Sequence, residues 1–214
     1  MQCSEFIVRM PGMMAYPQIS VPEVEKTVLG LEDSVIGKPL RQIDIRQIKN
    51  HLAEIPAILA ADAYTTVNGS LQVNVVPRTP VLRIETMAGL SFYLDETGSA
   101  FPLSSGHPAH LVVASGHIRI NAQKIDSAVD LESIDPSGVI GELFRLIRYI
   151  RQDEFLGNMI EQIYVNESME YEMIPKIGKQ VILLGNTHNL AEKLENLEAF
   201  YLLAMPGKSW EAYN

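Results

Sequence analysis

Apolar residues recur along this chain in two rhythms, helical and alternating, and their order predicts an α+β fold. Phe6-Ile7-Val8 is a short apolar run stopped by Pro11-Gly12, which predicts a strand. Pro22 opens a stretch in which Val24, Val28, Leu29 and Leu31 fall at helical spacing. After the Gly37-Lys38-Pro39 turn a second helix is predicted, with Asp44 as N-cap, Ile45, Ile48, Leu52 and Ile55 on one face, and Pro56 as its stop. A hairpin follows. Ala63 to Val67 and Leu71 to Val75 flank Asn68-Gly69-Ser70, and Asn-Gly supplies the positive φ that a tight turn requires. Leu71, Val73 and Val75 alternate with Gln72 and Asn74, so one face of that sheet is buried.

Beyond Pro77 the rhythm changes to short runs with turn punctuation. Val81 to Glu85, Leu90 to Leu94, Ala100 to Leu103 and Leu111 to Ala114, with a turn at Asp95-Glu96-Thr97-Gly98, predict an antiparallel meander. A helix is predicted over 137–152, where Val139, Ile140, Leu143, Phe144, Leu146, Ile147 and Ile150 form a stripe broad enough to pack on a sheet. Ile160 to Val165, Tyr171 to Pro175 and Gln180 to Leu184 predict three more strands. Leu190, Leu194, Leu197 and Tyr201 predict a last helix closed near Pro206-Gly207. The expected architecture is a β-α-α-β-β unit over 1–77, followed over 78–214 by a mainly antiparallel β unit with two helices.

Composition narrows the function classes. The 214 residues are 47% hydrophobic and 20% charged, enough to bury a sizeable core without metals or disulfides. Seventeen Lys and Arg against twenty-six Asp and Glu give a net charge of -9, which repels nucleic-acid phosphates and anionic lipid. No run approaches the roughly 20 apolar residues of a bilayer crossing, and Met1-Gln2-Cys3-Ser4-Glu5 lacks the basic-then-apolar order of a signal peptide. Cys3, the single cysteine, has no internal partner for a disulfide and leaves the compartment open.

Candidate chemistry is sparse. His107, His110 and His117 share one segment, but no Cys or nearby carboxylate completes a zinc set, and Pro108 opposes a helix that would aim the first two at one point. Ser104-Ser105-Gly106 lacks the glycine pattern of a nucleophile elbow. No glycine-rich phosphate loop is present: Gly98, Gly178 and Gly185 stand alone beside strands. Asp126, Asp130, Glu132 and Asp135 do not have the spacing of a calcium loop and read as solvated or capping acids. Met10, Met13 and Met14 near Tyr16 read as core fillers before a contact surface. Arg145, Arg148 and Arg151 line one helix face at three-residue spacing, a solvated row that a partner carboxylate could also use. No catalytic, cofactor-binding or metal-binding residue is assigned, and the expectation is a protein that is not an enzyme.

Asn68 to Val76 leads into Arg78-Thr79-Pro80-Val81-Leu82-Arg83, and Phe92-Tyr93-Leu94 into Asp95-Glu96-Thr97-Gly98. Together these segments resemble the FtsQ/DivIB cell-division family, in which a hairpin strand, an Arg-x-Pro-hydrophobic-x-Arg stretch and an aromatic, Asp-x-x-Gly turn join a POTRA domain to a β domain. Gly37-Lys38-Pro39 and Ile55-Pro56-Ala57-Ile58 upstream, with Ile160 to Val165, Leu184-Gly185 and Lys193 to Tyr201 downstream, extend the likeness over nearly the whole chain.

The resemblance implies a POTRA-type domain at 1–77 and an FtsQ-type β domain at 78–214. It further implies a non-enzymatic divisome scaffold on the periplasmic side of the inner membrane, binding FtsB- and FtsL-type partners by β-strand addition and coordinating septal wall synthesis. Other septal proteins would be met through the POTRA domain. It also carries an expectation about the ends: one transmembrane helix before the first strand, and a further strand beyond Asn214 to which FtsB pairs. Trp210 and Tyr213 are then the candidate partner-binding residues, or else ordinary packing residues. A POTRA component of outer-membrane protein assembly or secretion is the alternative, but residues after Pro77 neither repeat the first unit nor begin a long barrel.

Overall fold

A computed structural model describes residues 1–11, 18–31, 35–104, 106, 109–135 and 137–204. Contacts divide the chain into two compact units. One is Met1–Thr79 with Phe101–Ala109 and Asp126–Ala128; the other is Pro80–Ala100 with His110–Ile125 and Val129–Asn214.

The first unit runs β1 (Glu5–Arg9), α1 (Val21–Leu31), α2 (Ile45–Ala53), β2 (Ile58–Thr65) and β3 (Ser70–Pro77), the expected β-α-α-β-β order. Its sheet has the order β1-β3-β2, with β1 parallel and β2 antiparallel to β3. The alternation in β3 places Leu71, Val73 and Val75 under the helices, where they pack with Val24 and Val28 of α1 and Ile48 and Leu52 of α2. Asp44 caps α2 by accepting from the Gln47 N–H at 2.9 Å. Two local expectations change. Leu29, next to the buried Val28, turns outward because the contact stripe of α1 is narrow. The first hairpin arm begins at Ile58, five residues before Ala63, because a bulge at Leu59 absorbs the extra residue and restores the pairing with β3.

The second unit contains β4 (Pro80–Glu85), β5 (Ser91–Asp95), β6 (Ser99–Pro102), β7 (Val113–Gly116), β8 (Val129–Asp130), α3 (Leu131–Ile134), α4 (Val139–Gln152), α5 (Glu154–Met159), β9 (Ile160–Val165), β10 (Tyr171–Pro175), β11 (Ile182–Gly185) and α6 (Leu190–Ala199). A π-helical turn at Phe200–Ala204 follows α6. The strands form one sheet in the order β11-β10-β9-β7-β4-β5-β6-β8. β7 departs from the expected meander: it pairs parallel with both β4 and β9, and parallel neighbours need a crossover connection where a meander has hairpins. The short helices α3 and α5 join the two expected ones. Each is too short for a helical hydrophobic period to show in the sequence.

Register explains how this sheet buries one face. Ile84 pairs with Phe92 and Ala114, Ala114 with Ile163, Ile163 with Met173, and Met173 with Ile182, so one row of apolar side chains crosses the sheet. Leu143, Leu146, Ile147 and Ile150 of α4 share one core cluster with that row. The neighbouring row, Tyr93-Arg83-Val113-Gln162-Ile174, belongs to the opposite face by the period-2 pleat.

Candidate interface at the outer edge of the second sheet

Among the described residues β11 ends the sheet on one side and pairs with β10 alone. Its register with β10 shifts between Tyr171 and Glu172, so Leu184 is the extra residue of a bulge. A bulge on an edge strand increases its twist and limits how far a foreign strand can pair along it. The edge nevertheless carries apolar side chains: Leu183 is 77% exposed and Val181, just before the strand, 50%.

Two side chains hold the edge in place. Lys193 of α6 donates from Nζ to the Leu184 carbonyl at 3.1 Å, the Asn186 carbonyl at 2.9 Å and Asn186 Oδ1 at 3.1 Å. Glu142 of α4 accepts on Oε2 from the Tyr171 hydroxyl at 2.8 Å and from Thr187 Oγ1 at 3.1 Å. One carboxylate therefore ties the inner neighbour of β11 and the residue just beyond it to the covering helix. Burial first, and then the hydrogen bond to Glu142, hold the Tyr171 phenol well above its ordinary pKa.

Trp210, Tyr213, His107, Met13, Met14 and Tyr16 lie outside the described residues. No three His, Cys, Asp or Glu side chains among the described residues gather as a metal set. Asp135 does act as a capping acid: its Oδ2 accepts from the Gly141 N–H at 2.9 Å and its Oδ1 from Ser137 Oγ at 3.2 Å. Met10 packs against the first core. The arginine row is exposed but engaged: Arg148 lies 5.8 Å from the Phe144 ring centroid, Arg151 is 3.7 Å from Glu96, and Arg145 is 3.9 Å from Glu142. Sequence reasoning missed Lys193, Glu142 and Thr187. Their roles depend on partners 7 to 45 positions away, and no local pattern announces such bonds.

The junction motifs acquire physical roles. Arg78 donates from Nε to the Pro56 carbonyl at 3.0 Å and from its backbone N–H to the Ala57 carbonyl at 2.8 Å, pinning the end of β3 to the start of β2. The buried Asp95 builds the turn after β5: its Oδ1 accepts from Thr97 N at 2.9 Å, Thr97 Oγ1 at 2.6 Å and Ser99 N at 2.9 Å. Gly98 completes that turn at φ +85°.

Among the described residues no helix is long and apolar enough to cross a membrane. A search of curated proteins found no match. Two family models do match: a POTRA-like domain over residues 1–76, and one described as FtsQ/DivIB, C-terminal related, over residues 79–214. The second covers more than half of the chain, and the chain therefore belongs to the FtsQ/DivIB-related family.

Proposed function

We propose that this chain is the extracytoplasmic part of a division scaffold. It works in the periplasm, is tethered to the inner membrane by a single helix, and binds FtsB- and FtsL-type partners by strand addition at the β11 side of its second sheet. Other septal proteins meet the POTRA-like unit. Family membership supports the division role and the use of protein–protein contacts. The observation that carries the mode of binding is the place of β11, outermost in the sheet among the described residues, with its own Leu183 exposed, since an added strand draws affinity from backbone groups and specificity from alternate side chains.

Co-purification with the FtsB and FtsL homologues of the same genome tests this reading, using the full extracytoplasmic region and its Leu183→Pro variant. Proline removes an N–H and blocks pairing on an edge strand. The variant is expected to lose capture while keeping its fold by circular dichroism. Equal capture by both proteins would contradict strand addition at this edge.

A further inference from the structure

A groove of about 610 Å³ lies beside the turn that joins β10 and β11, with α5 on one side and the last turn of α6 on the other. That volume suits several side chains of a ligand. Phe155, Met159 and Ile177 supply its apolar lining, and Ile177 is 70% exposed. Asp153, Glu154 and Glu198 supply carboxylates, against Lys176 as the one cation lining it among the described residues.

The walls are built rather than loose. The Phe155 ring packs on Tyr201 with centroids 6.1 Å apart. Gln180 Nε2 donates to the Tyr201 hydroxyl at 3.1 Å and to the Ile177 carbonyl at 3.2 Å, joining the turn to the helix end. The Lys176 N–H donates to the Met159 carbonyl at 2.8 Å. Asp153 caps α5 by accepting from the Leu156 N–H at 2.8 Å, so its charge is held at the rim. An apolar floor with a rim of excess negative charge attracts a cationic ligand and repels an anionic one.

We propose that this groove docks a basic-apolar segment of a partner protein, with one large apolar side chain seated on Phe155, Met159 and Ile177 and Lys or Arg residues beside Glu154 and Glu198. The inference rests on the scaffold reading. It uses side chains of α5, α6 and the turn, whereas strand addition uses the backbone of β11.

Two short fluorescent peptides test it, sharing a central Leu-Phe pair and differing only in flanking lysines or glutamates. Each is titrated by anisotropy against the full chain, its Glu154→Gln/Glu198→Gln variant and its Glu154→Lys/Glu198→Lys variant. The lysine peptide should bind the native chain about tenfold tighter than the glutamate peptide, as two rim charge pairs allow. That preference should vanish in the glutamine variant, reverse in the lysine variant, and shrink with added salt. Equal binding of the two peptides, no binding by either, or a preference that survives in the glutamine variant would overturn the proposal. So would sedimentation showing a dimer of this chain that the lysine variant dissolves, which would give the groove to a second copy. Peptide discrimination that fails while FtsB capture holds sinks the groove alone; lost capture with discrimination intact sinks the strand-addition reading alone.

Discussion

The Tyr171 hydroxyl of β10 donates to Glu142 Oε2 of α4 at 2.8 Å, joining the strand beside the sheet edge to the helix that covers it. Tyr171 is 1% exposed, and both its burial and the carboxylate disfavour the phenolate. The folded pKa lies above the unfolded value of about 10, so the folded state holds the proton where the unfolded state releases it. The associated stability is complete below about pH 10 and is lost as pH rises beyond it, at about 1.4 kcal/mol per pH unit. Urea unfolding from pH 9 to 11 should show this loss in the native protein and a flatter profile in Tyr171→Phe. At pH 7 that variant should be about 1–2 kcal/mol less stable, since Glu142 loses a buried donor. Parallel profiles for the two proteins would refute the assignment.

Lys193 gives the edge its second anchor, spending its ammonium on two carbonyls and a side-chain oxygen around Leu184 and Asn186. Lys193→Met keeps the length of the side chain and removes the donors. It should cost about 1–2 kcal/mol and accelerate amide exchange in β11 and the following turn, with β9 and β4 unchanged. Unchanged exchange in β11 would mean that the bulge alone holds the strand.

Gly116 ends β7 at φ +100°, and a Cβ there would overlap the Val165 carbonyl oxygen and crowd the Tyr164 ring. Two penalties act together, a left-handed backbone and a backbone collision that no rotamer relieves. Gly116→Ala should destabilise the second unit by about 2–4 kcal/mol in thermal or denaturant unfolding. Gly89→Ala, at φ +79° with open space around the position, pays only the backbone penalty and should cost less.

The class of fold was legible because long amphipathic segments state their partners' direction. The α4 stripe from Val139 to Ile150 and the alternation of Leu71, Val73 and Val75 each name a buried face without reference to anything distant. The parallel pairing of β7 was not legible, since Val113 to Gly116 is four residues long and its partners, Arg83 and Ile84 on one side and Gln162 to Val165 on the other, are distant in sequence. The interface was legible only as a family expectation. Trp210 and Tyr213 were its named residues, and they lie outside the described residues. The edge that the structure does display is held by Glu142, Lys193 and Thr187, polar residues whose neighbours in sequence give them no distinction.

Strand addition at β11 is the central claim, and backbone amide exchange of the extracytoplasmic region, free and saturated with its FtsB-type partner, tests it most directly. An added strand must hydrogen-bond to the outer edge, so those amides within Ile182 to Gly185 that face away from β10 are expected to gain protection on binding while those of β1 and β2 in the first unit keep theirs. Saturation that leaves the β11 amides exchanging as before, with new protection elsewhere, would contradict it.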